Sequence, residues 1–346
     1  MKPKIGFLGT GYMGQIAHLD NYTALPECEV VAIAECRPEL ANAVAGKYGI
    51  PKVYSDHKQL LEDNNVDAIV CTQPFHNNYW LGKEVLQSGK SLITEKPMVL
   101  RLDDGQELVD IANQNKSLYA VGFMKRYDPG VQLARRRIEA VIESGSMGML
   151  KMVDACCFMG DWRQNPGSPI GTNEKNPPAL EARYPDHIQG RFEREYDHCL
   201  NIYSHNINLI RFLLPDQDLS CLNATHIDDA YTMSFISSNT LVNLKGTYTA
   251  SHTWQEETHC IFERGRISVY TPSPLNRQDI ARVTVYESGE EAHSETELHA
   301  EVEWAFYCQA RGFVSALRGE AQLLAPGEDS LNDVAVMEDV FRKLEA

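Results

Sequence analysis

Along the first third of the chain, apolar residues fall into short runs separated by stretches of helical spacing. The runs are Ile5–Leu8, Val30–Ala34, Ala68–Thr72, Ser91–Thr94 and Leu118–Gly122. Between them, apolar positions recur every three or four residues over Tyr12–Ala24, Pro38–Tyr48, Asn78–Ser88 and Asp103–Asn115, which predicts helices. Pro38 suits a first helical turn, and Gly49 and Gly89 suit helix stops. Strand and helix in repeated alternation imply a parallel sheet with helices on both faces and right-handed crossovers.

After Gly122 the pattern changes. Helical spacing covers Pro129–Glu143, Leu200–Leu214, Glu301–Leu317 and Ser330–Glu345. Strand-like runs lie at Leu150–Phe158, Leu219–His226, Tyr231–Ser237, Leu241–Thr249, His259–Glu263, Ile267–Tyr270 and Ala281–Tyr286, and Ser238-Asn239 and Arg264-Gly265 mark hairpins. The expectation is an α/β domain over residues 1–123, then an α+β domain over 124–346 built on a large, mostly antiparallel sheet. An irregular stretch, 161–194, interrupts the second domain and carries prolines at 166, 169, 177, 178 and 185. A connection of that length in a compact domain points to function or mobility. It reads equally as a lid over a site and as an arm onto a neighbouring subunit.

Composition narrows the function. The 346 residues carry a formal net charge of −16, which repels a phosphate backbone and argues against nucleic acid. No apolar run approaches the roughly 18 residues of a membrane span. The first strand starts within a few residues of Met1, which reads as no leader peptide. Nine scattered cysteines, with no C-x-x-C, suit reduced thiols in a cytoplasm. His198 and His205 lie two helical turns apart, which is not a recognised ligand spacing, so no metal is expected.

The chemistry begins at Lys4–Gly14, which reads K-I-G-F-L-G-T-G-Y-M-G. A strand runs into Gly9, Gly11 and Gly14 of a G-x-G-x-x-G turn, with Thr10, Tyr12 and Met13 between the glycines. The first glycine permits the tight turn, the second lets backbone approach a pyrophosphate, and the third lets helix and strand pack closely. Glu35 follows 21 positions after Gly14, where a carboxylate accepts bonds from ribose hydroxyls. The cofactor expected is NAD rather than NADP, although Arg37 could pair with a 2′-phosphate. Thr94-Glu95-Lys96-Pro97 ends a parallel strand, so the crevice rule sets Lys96 beside the cofactor, where it could stabilise a developing alkoxide.

These motifs, with Ser204-His205-Asn206-Ile207-Asn208, resemble the Gfo/Idh/MocA family of nicotinamide-dependent sugar and polyol oxidoreductases. Gln73-Pro74-Phe75-His76, Gly122-Phe123 and Arg126-Tyr127-Asp128-Pro129 add to the likeness, which spans nearly the whole chain. The resemblance implies a Rossmann domain followed by an open-faced sheet. It implies cofactor contacts at Gly9 to Gly14, Glu35, Arg37, Thr72, Gln73, Pro74, His76, Glu95 and Lys96. It makes Lys96 catalytic and His205 the general base. An aspartate commonly stands four residues before that histidine; here it is Asn201. Asn208 replaces a second family aspartate, and Glu195-Tyr196-Asp197 replaces a glycine run. Tyr203, Tyr196 and Asp197 are the alternative bases. Tyr127, Trp162, Arg163, Tyr196 and Asp197 are candidate substrate contacts, with Arg183 and Arg191 as looser ones.

The implied activity is NAD-dependent hydride transfer to or from a hydroxyl of a sugar, sugar derivative or cyclic polyol. The rivals are an NAD-retaining glycoside-cleaving enzyme and a non-catalytic dinucleotide sensor. The expected partners are a small carbohydrate or polyol and further copies of the chain, as a homodimer or homotetramer through the C-terminal sheet. Neither nucleic acid nor membrane is expected.

Overall fold

The structure, a computed structural model, describes residues 2–345 except 165, 166, 179, 215 and 217. Asn165 and Pro166 of the irregular stretch therefore lie outside the described residues. Packing divides the chain into two units. One holds Met1–Phe123 with Gly167–Pro185 and Phe306–Val334, and the other holds the remainder.

The first unit is a six-stranded parallel sheet. Its elements are β1 (Lys4–Leu8), α1 (Asp20–Ala24), β2 (Glu29–Ala34), α2 (Pro38–Tyr48), β3 (Lys52–Tyr54), α3 (His57–Glu62), β4 (Ala68–Cys71), α4 (Asn78–Gln87), β5 (Ser91–Thr94), α5 (Leu102–Asn115) and β6 (Tyr119–Val121). The strand order is β3-β2-β1-β4-β5-β6, so the winding reverses beside β1. β3 and α3 escape the sequence pattern because each is short and only half-buried. Alternation explains the two-sided core. Ile5, Phe7, Ile33, Val70 and Ile93 point to one layer; Leu8, Ala32, Ile69, Cys71 and Leu92 point to the other. Gly49 ends α2 at φ 67°, the left-handed conformation glycine adopts without penalty.

The second unit holds α6 (Pro129–Ser144), β7 (Leu150–Met159), α7 (Glu193–Leu213), β8 (Ser220–Ile227), β9 (Ala230–Ser237), β10 (Thr240–Tyr248), β11 (Gln255–Phe262), β12 (Gly265–Tyr270), β13 (Arg282–Ser288) and β14 (His293–Leu298). The eight strands run β14-β13-β12-β11-β7-β10-β9-β8, antiparallel except for the parallel β7–β10 pair. The sheet is therefore large and mostly antiparallel. The edge strand β14 is nearly all polar, which hid it from hydrophobic patterning. α6 and α7 pack on one face, over Val153, Ala155, Cys157, Phe235, Val242 and Val285.

Two segments expected in the second domain belong to the first unit. One is 306–334, which contains most of α8 (Ala305–Leu317) and the start of α9 (Gly327–Glu345). Ala310, Phe313 and Val314 of α8 join the Phe7–Ile33 core layer, and Val334 joins the other. The second is 167–185, the middle of the irregular stretch. α7 also starts earlier than the expected Leu200, so Glu195, Tyr196 and Asp197 are helical.

Candidate functional site

The glycine turn is held by the strand beside it. Gly9 has φ +89°, and a Cβ there would come within 2.2 Å of Gln73 Nε2. A Cβ at Gly14 would meet Thr72 Oγ1 at 2.5 Å, and that hydroxyl donates to Gly9 O at 2.8 Å. Thr72 and Gln73, expected as cofactor contacts, thus also brace the turn. At Gly11 the nearest atom a Cβ would meet is Arg37 Nη2, 3.8 Å away. The cradle therefore stays open at the glycine that lets a pyrophosphate approach, and it fits a dinucleotide. Tyr12 is exposed and Met13 half-buried at the following helix start; Gly14–Leu19 is π-wound before α1. Pro74 leads into a turn where His76 stacks on Phe75, with centroids 4.2 Å apart.

Glu35 follows β2 directly and is buried. Its Oε2 accepts from Thr10 N at 3.0 Å and Thr10 Oγ1 at 3.1 Å. Arg37 forks onto it, Nε to Oε1 at 2.8 Å and Nη2 to Oε2 at 2.9 Å. Burial pushes the Glu35 carboxyl up, but the bonds from Arg37 and Thr10 outweigh it and bring the pKa down to about 2. Glu35 is therefore fully ionised at neutral pH. Thr10 faces Glu35 with both its N–H and its hydroxyl, so its side chain shapes the carboxylate.

Lys96 follows β5, half-buried. Two residues that no motif flagged hold the loop around it. Asn78, fully buried, donates from Nδ2 to both Glu95 O and Pro97 O at 2.8 Å, clamping the chain on either side of the lysine. His18, also buried, lies 2.5 Å from Glu95 Oε1. Burial raises the Glu95 carboxyl, and His18 together with the Lys96 charge outweighs it, leaving the pKa below its ordinary value. Glu95, expected as a cofactor contact, turns its carboxylate to this histidine. Gly122 N donates to Thr94 O at 2.8 Å, and a Cβ on Gly122 would come within 3.3 Å of Glu95 Cα.

In the second unit the candidates ride on α7. His205 is half-buried, and Asn201, one turn earlier, is exposed. Tyr196 and Tyr203 correct the sequence reading. Both are fully buried, Tyr196 edge-on to Phe341 at 5.0 Å and Tyr203 filling the space beside Gly246. Burial holds both hydroxyls far above the range of a working base, so they are core residues. Asp197 remains half-buried. His198 stacks on Tyr231 at 6.0 Å, and burial pushes its pKa down, which keeps the ring neutral. Asn208 takes a bond from Arg126 Nε at 2.7 Å, both side chains buried. At the position where the sequence resemblance implies an aspartate, this chain has an amide. Asn206 and Lys125 both reach the buried Glu256, joining α7 to β11.

The remaining candidates scatter. Tyr127 is buried in the turn before α6. Arg163 lies over the Trp162 ring at 5.2 Å, and Arg191 over Phe192 at 4.8 Å. Arg183 pairs with buried Asp104 at 3.0 Å and stacks on Tyr79 and Trp80 at 4.6 and 5.5 Å. The structure thus gathers Thr10, Thr72, Gln73, Glu35 and Arg37 around one turn, and Glu95 and Lys96 on the same strand edge. Lys96 and His205 stand in different units. Among the described residues, no three His, Cys, Asp or Glu side chains cluster to hold a metal, and no helix is long and apolar enough to cross a membrane.

Residues 3–123 match the model of an oxidoreductase family with an NAD-binding Rossmann fold. An inositol 2-dehydrogenase/D-chiro-inositol 3-dehydrogenase of Lacticaseibacillus casei is 26% identical over 292 residues, covering 83% of this chain and 78% of that protein. An inositol 2-dehydrogenase of Azotobacter vinelandii is 35% identical over 153 residues, which is 43% of each chain. Among solved structures, a levoglucosan dehydrogenase in complex with NADH and levoglucosan superposes with a TM-score of 0.77 at 18% identity, covering 100% of this chain and 98% of that one. That likeness carries the fold along the whole chain, and residues 3–123, which hold the glycine turn and the Glu-Lys-Pro loop, match the NAD-binding Rossmann domain of the Gfo/Idh/MocA oxidoreductases.

Proposed function

We propose that this protein is an NAD-dependent dehydrogenase or reductase of a sugar, sugar derivative or cyclic polyol. The observation that carries this reading is the Glu-Lys-Pro loop, clamped by Asn78 and His18 at the carboxyl edge of a dinucleotide-binding sheet. Relatives named for inositol and levoglucosan support the substrate class. Bound NAD supplies the hydride acceptor. The chain supplies position and electrostatics. Lys96 would donate a hydrogen bond to the reacting oxygen and stabilise its developing charge. His205 would take the proton, an imidazole being the side chain best poised near neutral pH. Glu35, ionised, favours ribose hydroxyls and repels a 2′-phosphate, so NAD is the cofactor proposed over NADP.

The nine cysteines, none of them disulfide-bonded, suit a reducing compartment, and burial pushes thiols such as Cys71 and Cys260 up to about 12, so these serve as packing. The open face of the second sheet is the proposed subunit interface. Ile236, Leu241, Met152 and Ile261 register across four strands there as one apolar row. Screening sugars and inositols with NAD, by absorbance of the reduced nicotinamide, tests the activity. Cofactor binding with no turnover across that panel would favour a sensor, and aglycone release without net NAD reduction would favour glycoside cleavage.

A further inference from the structure

The middle of the irregular stretch lies along the carboxyl edge of the first sheet as a strap. Ile170 exchanges two bonds with the Gln15 amide, at 2.8 and 3.0 Å, and Gln15 also donates to Thr10 O at 2.9 Å, inside the glycine turn. Further on, Glu174 accepts from Glu39 N at 3.0 Å and Leu40 N at 2.9 Å. These are first-turn amides of α2, donors with no partner inside their own helix. Thr172 Oγ1 steadies the same carboxylate at 2.9 Å. Asn176 Oδ1 accepts from Arg37 Nη1 at 2.7 Å.

The 2′ side of an adenosine ribose faces the end of β2 in this fold. A 2′-phosphate there needs cationic or N–H partners, and the local sources are the Arg37 guanidinium and the start of α2. Both are committed. Arg37 spends its fork on Glu35 and a third N–H on Asn176. The α2 amides are capped by a second carboxylate, Glu174, which adds like-charge repulsion to theirs.

We propose that Glu174 and Asn176 are specificity-determining residues of the cofactor site, acting with Glu35 to exclude a 2′-phosphate. Glu35 alone leaves Nη1 of Arg37 and the helix start to a phosphate; the strap occupies both. The inference rests on the NAD reading above and extends it to residues about 140 positions away in sequence, outside the dinucleotide fingerprint.

Isothermal titration calorimetry of the full chain with NAD and with NADP tests it. The variants are Glu174→Ala, Glu174→Gln, Asn176→Ala, the double Glu174→Ala/Asn176→Ala, and Glu35→Ala for comparison. In the double variant NADP affinity should rise tenfold or more while NAD affinity stays within about threefold. Glu174→Gln, which removes charge but keeps an acceptor, should show part of that rise. An unchanged NADP/NAD ratio in the double variant, with wild type still preferring NAD, overturns the strap's role and leaves the NAD reading standing. Parallel loss of both cofactors overturns it too, marking the contacts as structural. Wild type that binds NADP more tightly than NAD overturns the NAD reading itself.

Discussion

Glu35 and Arg37 sit two residues apart, yet they act as one unit with Thr10, and their behaviour in acid follows. The folded pKa of Glu35, about 2, lies below its ordinary value of 4.5, so the folded state favours the ionised form. The stabilisation is complete above about pH 4.5 and is lost as pH falls toward 2, at about 3 kcal/mol for a shift of this size. Glu35→Gln should therefore lower the urea midpoint at pH 7, and its deficit against wild type should shrink steadily below pH 4.5. A deficit independent of pH would show that the lost stability is not the carboxylate's charge. Lys96 and His205 make a different prediction. Lys96→Ala and His205→Ala should each reduce kcat by about 10² or more while NAD affinity is nearly unchanged, because both are proposed to act on the substrate oxygen. Near-normal turnover in either variant removes that residue from the mechanism. The residue scale is also where sequence reading erred. Tyr196 and Tyr203 offer hydroxyls in the right segment, but only burial reveals that they face the core.

Elements place these side chains. The Glu-Lys-Pro loop is short and irregular, and its rigidity comes from α4 and from the helix after the glycine turn, which reach it with Asn78 and His18. Neither residue carries a motif, since a buried asparagine or histidine looks like any other until its partner is known. Asn78→Ala strands two backbone carbonyls, at a cost of about 1–3 kcal/mol. It should also lower kcat by roughly tenfold or more through a displaced Lys96, with NAD binding within a few-fold of wild type. Stopped-flow turnover set beside calorimetric NAD titration separates these effects; unchanged kcat would mean the clamp does not position the lysine. α7 shows the opposite balance. Its apolar stripe made the helix legible from Leu200 on, but its first two turns, rich in Glu, Arg and Asp, did not register.

At the scale of the molecule, an open sheet face with a registered apolar row predicts self-association. Leu241→Arg places a charge in the middle of that row. Light scattering should show an oligomer for the wild type and a smaller species for the variant, with circular dichroism unchanged. A monomeric wild type would sink the proposed interface.

The sequence by itself determined whatever rests on local period and local backbone demand. The βα alternation, the glycine turn with its distal carboxylate, the Gly49 stop and the hairpins at Ser238 and Arg264 are all set by neighbours a few residues away. It also carried the resemblance that the family match over residues 3–123 bears out, because the glycine and Glu-Lys-Pro motifs are each contiguous. Only the tertiary structure decided what long-range packing controls. Phe313 sits in the core with Phe7, and His18 turns to Glu95. Glu174 caps a helix that starts 136 residues earlier, at Pro38. The physical reason is the same in each case. A side chain's hydrophobicity or charge is written at its own position, but its partner is chosen by the fold, and a carboxylate reads alike in sequence whether it meets water, a lysine or the bare amides of a helix.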